Sequence, residues 1–120
     1  MDATGHMVVL VVEDEPLVRM LAVECLRDEG FTVYEAASAA EALVVISDHG
    51  ELDVLFSDVD MPGMNGLDLA REVARRWPHV GCLLTSGGAR PEASWSTPSR
   101  HFLSKPYGVG QLGAWIRAAA

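Results

Sequence analysis

Residues 7–16 read MVVLVVEDEP, an apolar run that ends directly in three consecutive acids and a proline. The valine-rich stretch from Val8 to Val12 is typical of a short strand buried on both faces of a sheet. Pro16 is tolerated in the first turn of a helix, and Gly30 is a natural stop for one. The apolar positions between them, at helical spacing, are Leu17, Val18, Leu21, Val23 and Leu26. The segment therefore predicts a buried strand, an acidic turn and a helix.

The same alternation of short strands and helices continues along the chain. Further strands are predicted at Thr32–Ala36, Val54–Ser57, Val80–Thr85 and Phe102–Ser104. A capping box of Ser38 and Glu41 opens the second helix. Further helices are predicted at Leu67–Trp77 and at Gly108–Ala120, the last one packing through Leu112, Trp115 and Ile116. Strands that alternate with helices in this way indicate an α/β fold, with five parallel strands and right-handed crossovers that place helices on both faces.

One region interrupts this pattern. Residues 87–100 are rich in Gly, Pro and Ser and have no apolar period. We expect a loop or a degenerate short helix there, so the helix between the fourth and fifth strands is degenerate or missing. Residues 1–6 are small and polar, and we expect a disordered N-terminal tail. The length of 120 residues suits one domain, which we place at residues 7–120.

Composition narrows the classes of function. Seventeen acidic against nine basic residues give a net charge of −8, which disfavours direct nucleic-acid binding. The longest apolar run, Met7–Val12, is too short for a membrane span, and no basic stretch precedes it as in a signal peptide. Cys25 and Cys82 show no metal-ligand spacing, so we interpret them as reduced core thiols of a cytoplasmic protein.

Polar side chains follow four of the predicted strands at the point where each strand ends. They are Glu13 and Asp14, then Asp58, then Thr85 and Ser86, and finally Lys105. Taken singly, each has an ordinary explanation as a helix-start acid, a turn former, a loop hydroxyl or a surface lysine. Because the carboxyl ends of parallel strands meet at one edge of a sheet, we expect all of them to converge there.

Such a group of side chains suits the binding of a divalent cation and a phosphoryl group. Three neighbouring carboxylates cannot all stay ionised without help, and a hard divalent cation such as Mg²⁺ relieves their repulsion. With an added ammonium and a hydroxyl, the site suits a dianionic phosphoryl group. A carboxylate held there can attack phosphorus and form an acyl phosphate.

Four segments resemble one family. VVLVVEDEPLVRMLAVECL is similar to the opening of response-regulator receiver domains, and LFSDVDMPGMNGLDL resembles their phosphoacceptor strand and loop. LLTSG and FLSKPY resemble their hydroxyl strand and Lys-Pro strand. The resemblance extends from about Val8 to the end of the chain. It implies a doubly wound sheet with the flavodoxin-like strand order 2-1-3-4-5.

The resemblance also implies roles for single residues. Asp58 would be the phosphoacceptor and would share a Mg²⁺ ion with Asp14, the main carboxylate ligand. Glu13 would assist directly or through water, and Asp60 would offer its backbone carbonyl to the ion. Lys105 would contact the Asp58 carboxylate and later the phosphoryl group.

The implied switch involves a hydroxyl and an aromatic ring. Ser86 would bind a phosphoryl oxygen, with Thr85 as the competing hydroxyl. Phe102 would be the switch aromatic, for which plain core packing is an equal alternative. A cis peptide bond before Pro106 is also implied. The chain departs from the family in its short stretch between Ser86 and Lys105, which leaves the output surface open, and in the missing phenolic hydroxyl at Phe102.

The function implied is that of a signalling domain. It would take a phosphoryl group from a phosphohistidine of a histidine kinase or a phosphotransfer protein and change shape for an unknown downstream protein. It would catalyse only its own phosphorylation and dephosphorylation, either as a free protein or as part of a hybrid kinase. A haloacid-dehalogenase-like phosphatase, with Asp58 as nucleophile and Asp60 as acid, is the alternative enzyme. A flavodoxin-like carrier is disfavoured because the acids after the first strand would repel a flavin phosphate.

Overall fold

Five parallel strands form the central sheet of the chain. The computed structural model describes residues 1–88 and 100–120. The strands are β1 (Val8–Val12), β2 (Thr32–Ala36), β3 (Val54–Asp58), β4 (Gly81–Ser86) and β5 (Arg100–Ser104). Their order is β2-β1-β3-β4-β5, and each neighbouring pair is parallel. The predicted α/β class and strand order are therefore confirmed.

Four α-helices occur in the two described ranges. They are α1 (Pro16–Asp28), α2 (Ala39–Asp48), α3 (Gly66–Arg76) and α4 (Leu112–Ala119). The last helix begins later than predicted because a 3₁₀ turn, Val109–Gln111, precedes it. The degenerate helix expected within residues 87–100 falls mainly on residues 89–99, which lie outside the described ranges.

Side-chain caps fix where two of the helices begin. The Ser38 hydroxyl accepts a hydrogen bond from the Glu41 amide at 3.2 Å, and the Glu41 carboxylate accepts one from the Ala37 amide at 3.3 Å. Asn65 caps α3 by accepting from the Asp68 amide at 2.9 Å. Each cap satisfies a backbone donor that the helix itself leaves unpaired. The predicted start of α2 is confirmed.

Apolar side chains cover both faces of the sheet. All five residues of β1 are buried, because alternate side chains enter different cores. Val8, Leu10 and Val12 join the core beneath α2 and α3, whereas Val9 and Val11 join the core beneath α1 and α4. This double burial places β1 at the centre of the molecule and its C-terminal acids at one edge.

Helix α1 turns a narrower face to the core than its sequence predicts. Its buried residues are Ala22, Val23 and Leu26, whereas Leu17 and Leu21 are 66% and 56% exposed. Trp115 of α4, predicted to pack inward, is likewise 36% exposed. The apolar stripe of α1 is wider than the face that the sheet can cover, so part of it is left on the surface.

The N-terminal residues form a turn in front of β1. The Asp2 carboxylate accepts hydrogen bonds from the backbone amides of Thr4 and His6, and the Met1 ammonium lies 2.8 Å from the Asp53 carboxylate. The disorder expected for residues 1–6 stays a prediction. Within the two described ranges, no helix has the length and apolar character needed to cross a bilayer.

Candidate functional site

The acids after β1 lie at the C-terminal edge of the sheet. Glu13 is 5% exposed, and its Oε1 accepts a hydrogen bond from the Glu15 amide at 3.2 Å. Asp14 is exposed at the rim. The fully buried β1 strand fixes both positions, since it ends one residue before Glu13.

Asp58 ends β3 and is 4% exposed. Its Oδ1 accepts a hydrogen bond from the Asp60 amide at 3.0 Å, and its Oδ2 accepts one from Lys105 Nζ at 2.9 Å. The backbone behind it is tightly packed, since a Cβ on Gly66 would lie 2.1 Å from the Asp58 carbonyl oxygen. Gly66 therefore lets the start of α3 approach the phosphoacceptor candidate closely. The role of Gly66 was not predicted from the sequence, although its place after a turn is a usable signal.

Lys105 reaches the site from the segment after β5. Its backbone amide donates to the Ser86 carbonyl at 3.0 Å, and the peptide bond to Pro106 is cis, as the resemblance implied. Its Nζ also lies 3.6 Å from Glu13 Oε2, so one ammonium bridges two buried carboxylates. Partial burial lowers the pKa of Lys105, but the hydrogen bond and the negative charges outweigh it, and the net pKa is raised.

Three carboxylates form a compact group at this edge. One oxygen from each of Glu13, Asp14 and Asp58 lies within 4.8 Å of the others. Burial, followed by hydrogen bonding with Asp58 and its charge, raises the pKa of Glu13 to about 7, although Lys105 opposes the shift. Three neighbouring carboxylates that all offer oxygen ligands fit a hard cation such as Mg²⁺.

Ser86 and Thr85 end β4 in different surroundings. Ser86 is 2% exposed, and its hydroxyl donates to Asp60 Oδ2 at 2.6 Å while accepting from the Gly88 amide at 3.0 Å. Thr85 pairs in register with Asp58 and lines a small cavity with it. The Thr85 hydroxyl is buried without a hydrogen-bond partner among residues 1–88 and 100–120. The side-chain contact between Asp60 and Ser86 was not foreseen from the sequence.

Phe102 lies on the same face of the sheet as Ser86. It pairs in register with Leu84, two residues before Ser86, and packs partly buried against the core beneath α2 and α3. This packing agrees with a purely structural role for Phe102 in the core. Its position on the same face as Ser86 also agrees with a role as the switch aromatic.

An apolar groove adjoins the site. A cavity of about 600 Å³ lies between α1 and the segment after β5. Its walls include Val18 and Leu21 on one side, and Lys105, Pro106 and Val109 on the other. Because Lys105 lines the groove and also contacts Glu13 and Asp58, the groove lies next to the carboxylates. The sequence indicates this exposed apolar surface in the stretch from Leu17 to Leu21, which holds more apolar residues than one buried helix face needs.

The comparisons with known proteins agree on one family. The family profile described as response regulator receiver domain matches residues 9–117. The sensor kinase CckA of Brucella abortus (strain 2308) is 39% identical over 120 residues, which cover 97% of this chain and 13% of the kinase. The chain thus spans a small part of that relative.

Solved structures give the same result. The crystal structure of the receiver domain from the hybrid histidine kinase CckA is 32% identical, covers 94% of this chain and 99% of that chain, and superposes with a TM-score of 0.78. The response regulator TrrA from Thermotoga maritima, crystallised in complex with Mg²⁺–BeF, is 27% identical, covers 95% of this chain and 99% of that one, and has a TM-score of 0.82.

Proposed function

Since the chain belongs to the response-regulator receiver family of two-component systems, we propose that it accepts a phosphoryl group on Asp58 in a Mg²⁺-dependent reaction. The donor is a phosphohistidine of a histidine kinase or a phosphotransfer protein. The observation that carries the proposal is the buried Asp58 carboxylate, which is hydrogen-bonded to Lys105 within a group of three acids. The phosphatase alternative finds no support in these similarities.

The transfer moves one phosphoryl group between two residues. A carboxylate oxygen of Asp58 forms a bond to phosphorus as the P–N bond to the donor imidazole breaks. The electron pair of that bond stays on the imidazole nitrogen, which takes up a proton from solvent. The product is an acyl phosphate on Asp58, and no oxidant or reductant is needed.

The residues around Asp58 fit a bound Mg²⁺ ion. Asp14, Glu13 and Asp58 would supply carboxylate oxygens, and Asp60 its backbone carbonyl, as the family resemblance implies. When bound, the ion supplies positive charge against the oxygens of the transferring phosphoryl group. The raised pKa of Glu13, caused first by burial and then by Asp58, supports this assignment, because a bound cation would favour the ionised carboxylate at this buried position.

Lys105 and the Asp60 amide hold the nucleophile in place. Each donates to a different oxygen of Asp58, which fixes the plane of the carboxylate at the mouth of the site. The Lys105 ammonium is then positioned to transfer its hydrogen bond to a phosphoryl oxygen. Ser86 would supply a second donor, and movement of Phe102 and the segment around it would report the change to a downstream protein.

The apolar groove supports a helical phosphodonor. Leu21 of α1 lines the same cavity as Lys105 and is 56% exposed, and Leu17 and Met20 of the same helix are also exposed. A partner that brings a phosphohistidine to Asp58 must cover the groove beside Lys105, and an amphipathic helix would bury these side chains as it does so.

We also propose a cytoplasmic location, where Cys25 and Cys82 would remain thiols.

The test is labelling by a small phosphodonor. Acetyl phosphate with Mg²⁺ is expected to add one phosphoryl group to the intact chain, detected by mass spectrometry. Asp58→Asn is expected to abolish the addition, because the amide is a poor nucleophile. Asp68→Asn, the same change at an exposed acid of α3, serves as the matched control and should label normally. Undiminished labelling of Asp58→Asn would overturn the proposal.

A further inference from the structure

The single proton of the Ser86 hydroxyl is engaged in the structure. The hydroxyl donates this proton to Asp60 Oδ2 at 2.6 Å and accepts the Gly88 amide proton at 3.0 Å. Ser86 is 2% exposed, so water cannot easily replace either bond. The hydroxyl is therefore not available as a donor to any other group while Asp60 holds it.

This contact sets up a competition for one proton. The proposed function, on which the present inference rests, has Ser86 donate to a phosphoryl oxygen on Asp58. A hydroxyl has one proton to donate, so it serves the Asp60 carboxylate or the phosphoryl group, and not both at full strength. We propose that Asp60 is a positioning residue that holds Ser86 in its resting state and must release it when Asp58 is phosphorylated.

The position of Asp60 suits this role. Its backbone amide binds Asp58 Oδ1 at 3.0 Å, so the residue that holds Ser86 also contacts the proposed phosphoacceptor. Its side chain is exposed, so water can hydrate the carboxylate once Ser86 leaves. Breaking the contact therefore has a modest cost on the Asp60 side, and a new acceptor nearby can draw the buried hydroxyl away.

The contact lowers the population of the state that can bind a phosphoryl group with Ser86. When only a fraction of molecules is competent to bind, the apparent affinity falls by that fraction. Removing the Asp60 acceptor leaves the buried Ser86 donor unpaired and favours the released state. Affinity for a phosphoryl mimic should then rise by about tenfold, which is the size expected for a charge-assisted hydrogen bond at a partly exposed site.

A double-mutant cycle separates this effect from simple charge repulsion. Beryllofluoride with Mg²⁺ serves as the mimic, and its affinity is measured for the intact chain and for the variants Asp60→Ala, Ser86→Ala and the double variant. Asp60→Ala also removes a negative charge, and that gain persists when Ser86 is absent. The hydrogen-bond gain requires Ser86. We expect Asp60→Ala to tighten binding at least threefold more in the presence of Ser86 than in the Ser86→Ala background, a coupling of about 0.65 kcal/mol.

A conservative variant and a spectroscopic signal complete the test. Asp60→Asn removes the charge but keeps an oxygen acceptor for Ser86, so it should tighten binding less than Asp60→Ala. In the free protein, Asp60→Ala should move the backbone amide resonance of Gly88 towards its beryllofluoride-bound position, because Gly88 donates to the same hydroxyl. Asp60→Asn should move it less.

Two results would overturn the inference. Equal gains from Asp60→Ala with and without Ser86 would show that Asp60 acts through charge alone, while leaving the proposed function intact. Failure of the unmodified chain to bind beryllofluoride at all would overturn the proposed function, and the role of Asp60 with it.

Discussion

The side-chain nitrogen of Lys105 lies 2.9 Å from Oδ2 of Asp58, although 47 positions separate the two residues in sequence. The same nitrogen lies 3.6 Å from Glu13, so one cation balances two buried acids. Parallel strands bring these residues together, because β1, β3 and β5 all end at the same edge of the sheet.

Replacement of Lys105 should therefore lower the stability of the folded chain when no metal is bound. Lys105→Ala leaves Asp58 and Glu13 without their cation, and we expect it to lower the free energy of unfolding in EDTA by about 1–3 kcal/mol. Mg²⁺ should stabilise this variant more than the unmodified chain, because the ion meets less competing positive charge. Urea unfolding with and without Mg²⁺ measures both. Arg71→Ala, which removes an exposed positive charge on α3, is the control. Equal stabilisation by Mg²⁺ of variant and parent would contradict the prediction.

Magnesium binding should depend on Asp14. At ten times its dissociation constant, Mg²⁺ should stabilise the unmodified chain by about 1.4 kcal/mol, seen as a raised thermal midpoint. Asp14→Asn removes one of the three carboxylates and should abolish most of this gain. Since Asp14 is exposed, the variant should fold normally. Glu15→Gln changes the next acid, which lies outside the group of three, and should keep the gain. A full response in Asp14→Asn would remove Asp14 from the metal site.

The close approach of Gly66 to Asp58 predicts a large cost for a single methyl group. Gly66→Ala would place its Cβ against the Asp58 carbonyl, where backbone atoms cannot yield easily. We expect the free energy of unfolding to fall by about 2–3 kcal/mol, as is typical of overpacked sites. A Cβ on Gly50 would meet nothing within 4 Å, so Gly50→Ala is the matched control. Similar urea midpoints for the two variants would contradict the packing.

Thiol chemistry offers a test of the core. Burial raises the pKa of Cys82 to about 11, although the Arg100 charge opposes the shift. At pH 8 only about one molecule in a thousand carries the Cys82 thiolate, so a Cys25→Ser variant should react slowly with a disulfide reagent until it is unfolded.

The same shift has a pH dependence. The folded state keeps the proton of Cys82 more tightly than the unfolded state, whose thiol titrates near 9. The resulting stability is complete below pH 9 and is lost as the pH rises towards 11. Cys25→Ser should retain this alkaline loss, and Cys82→Ala should reduce it. Fast thiol labelling of the native Cys25→Ser chain would contradict the burial.

The sequence predicts the position of Glu13 and Asp14 at the C-terminal edge of the sheet for one reason. Buried parallel strands are nearly all apolar, so the first polar residue after each one marks its C-terminal end. β1 is the clearest case, since its five apolar residues lead straight into Glu13. Because parallel strands bring their C-terminal ends to one edge of the sheet, the residues after these ends are expected to lie close together.

Other features could not be predicted because they depend on which way a side chain turns. The resemblance gave Asp60 only a backbone role, whereas its carboxylate binds Ser86. The apolar pattern of α1 indicates a helix, but periodicity cannot separate side chains that pack on the sheet from those that line a surface groove. Leu21 belongs to the second group, and Leu17 is exposed without lining the groove.

The most direct test of the central claim locates the phosphoryl group. The chain is treated with acetyl phosphate and Mg²⁺, and the acyl phosphate is then reduced with borohydride, which converts a phosphorylated aspartate to homoserine. Peptide sequencing by mass spectrometry should find homoserine at position 58. Homoserine at position 14 or 60 instead, or at no aspartate although the chain had been phosphorylated, would contradict the assignment of Asp58.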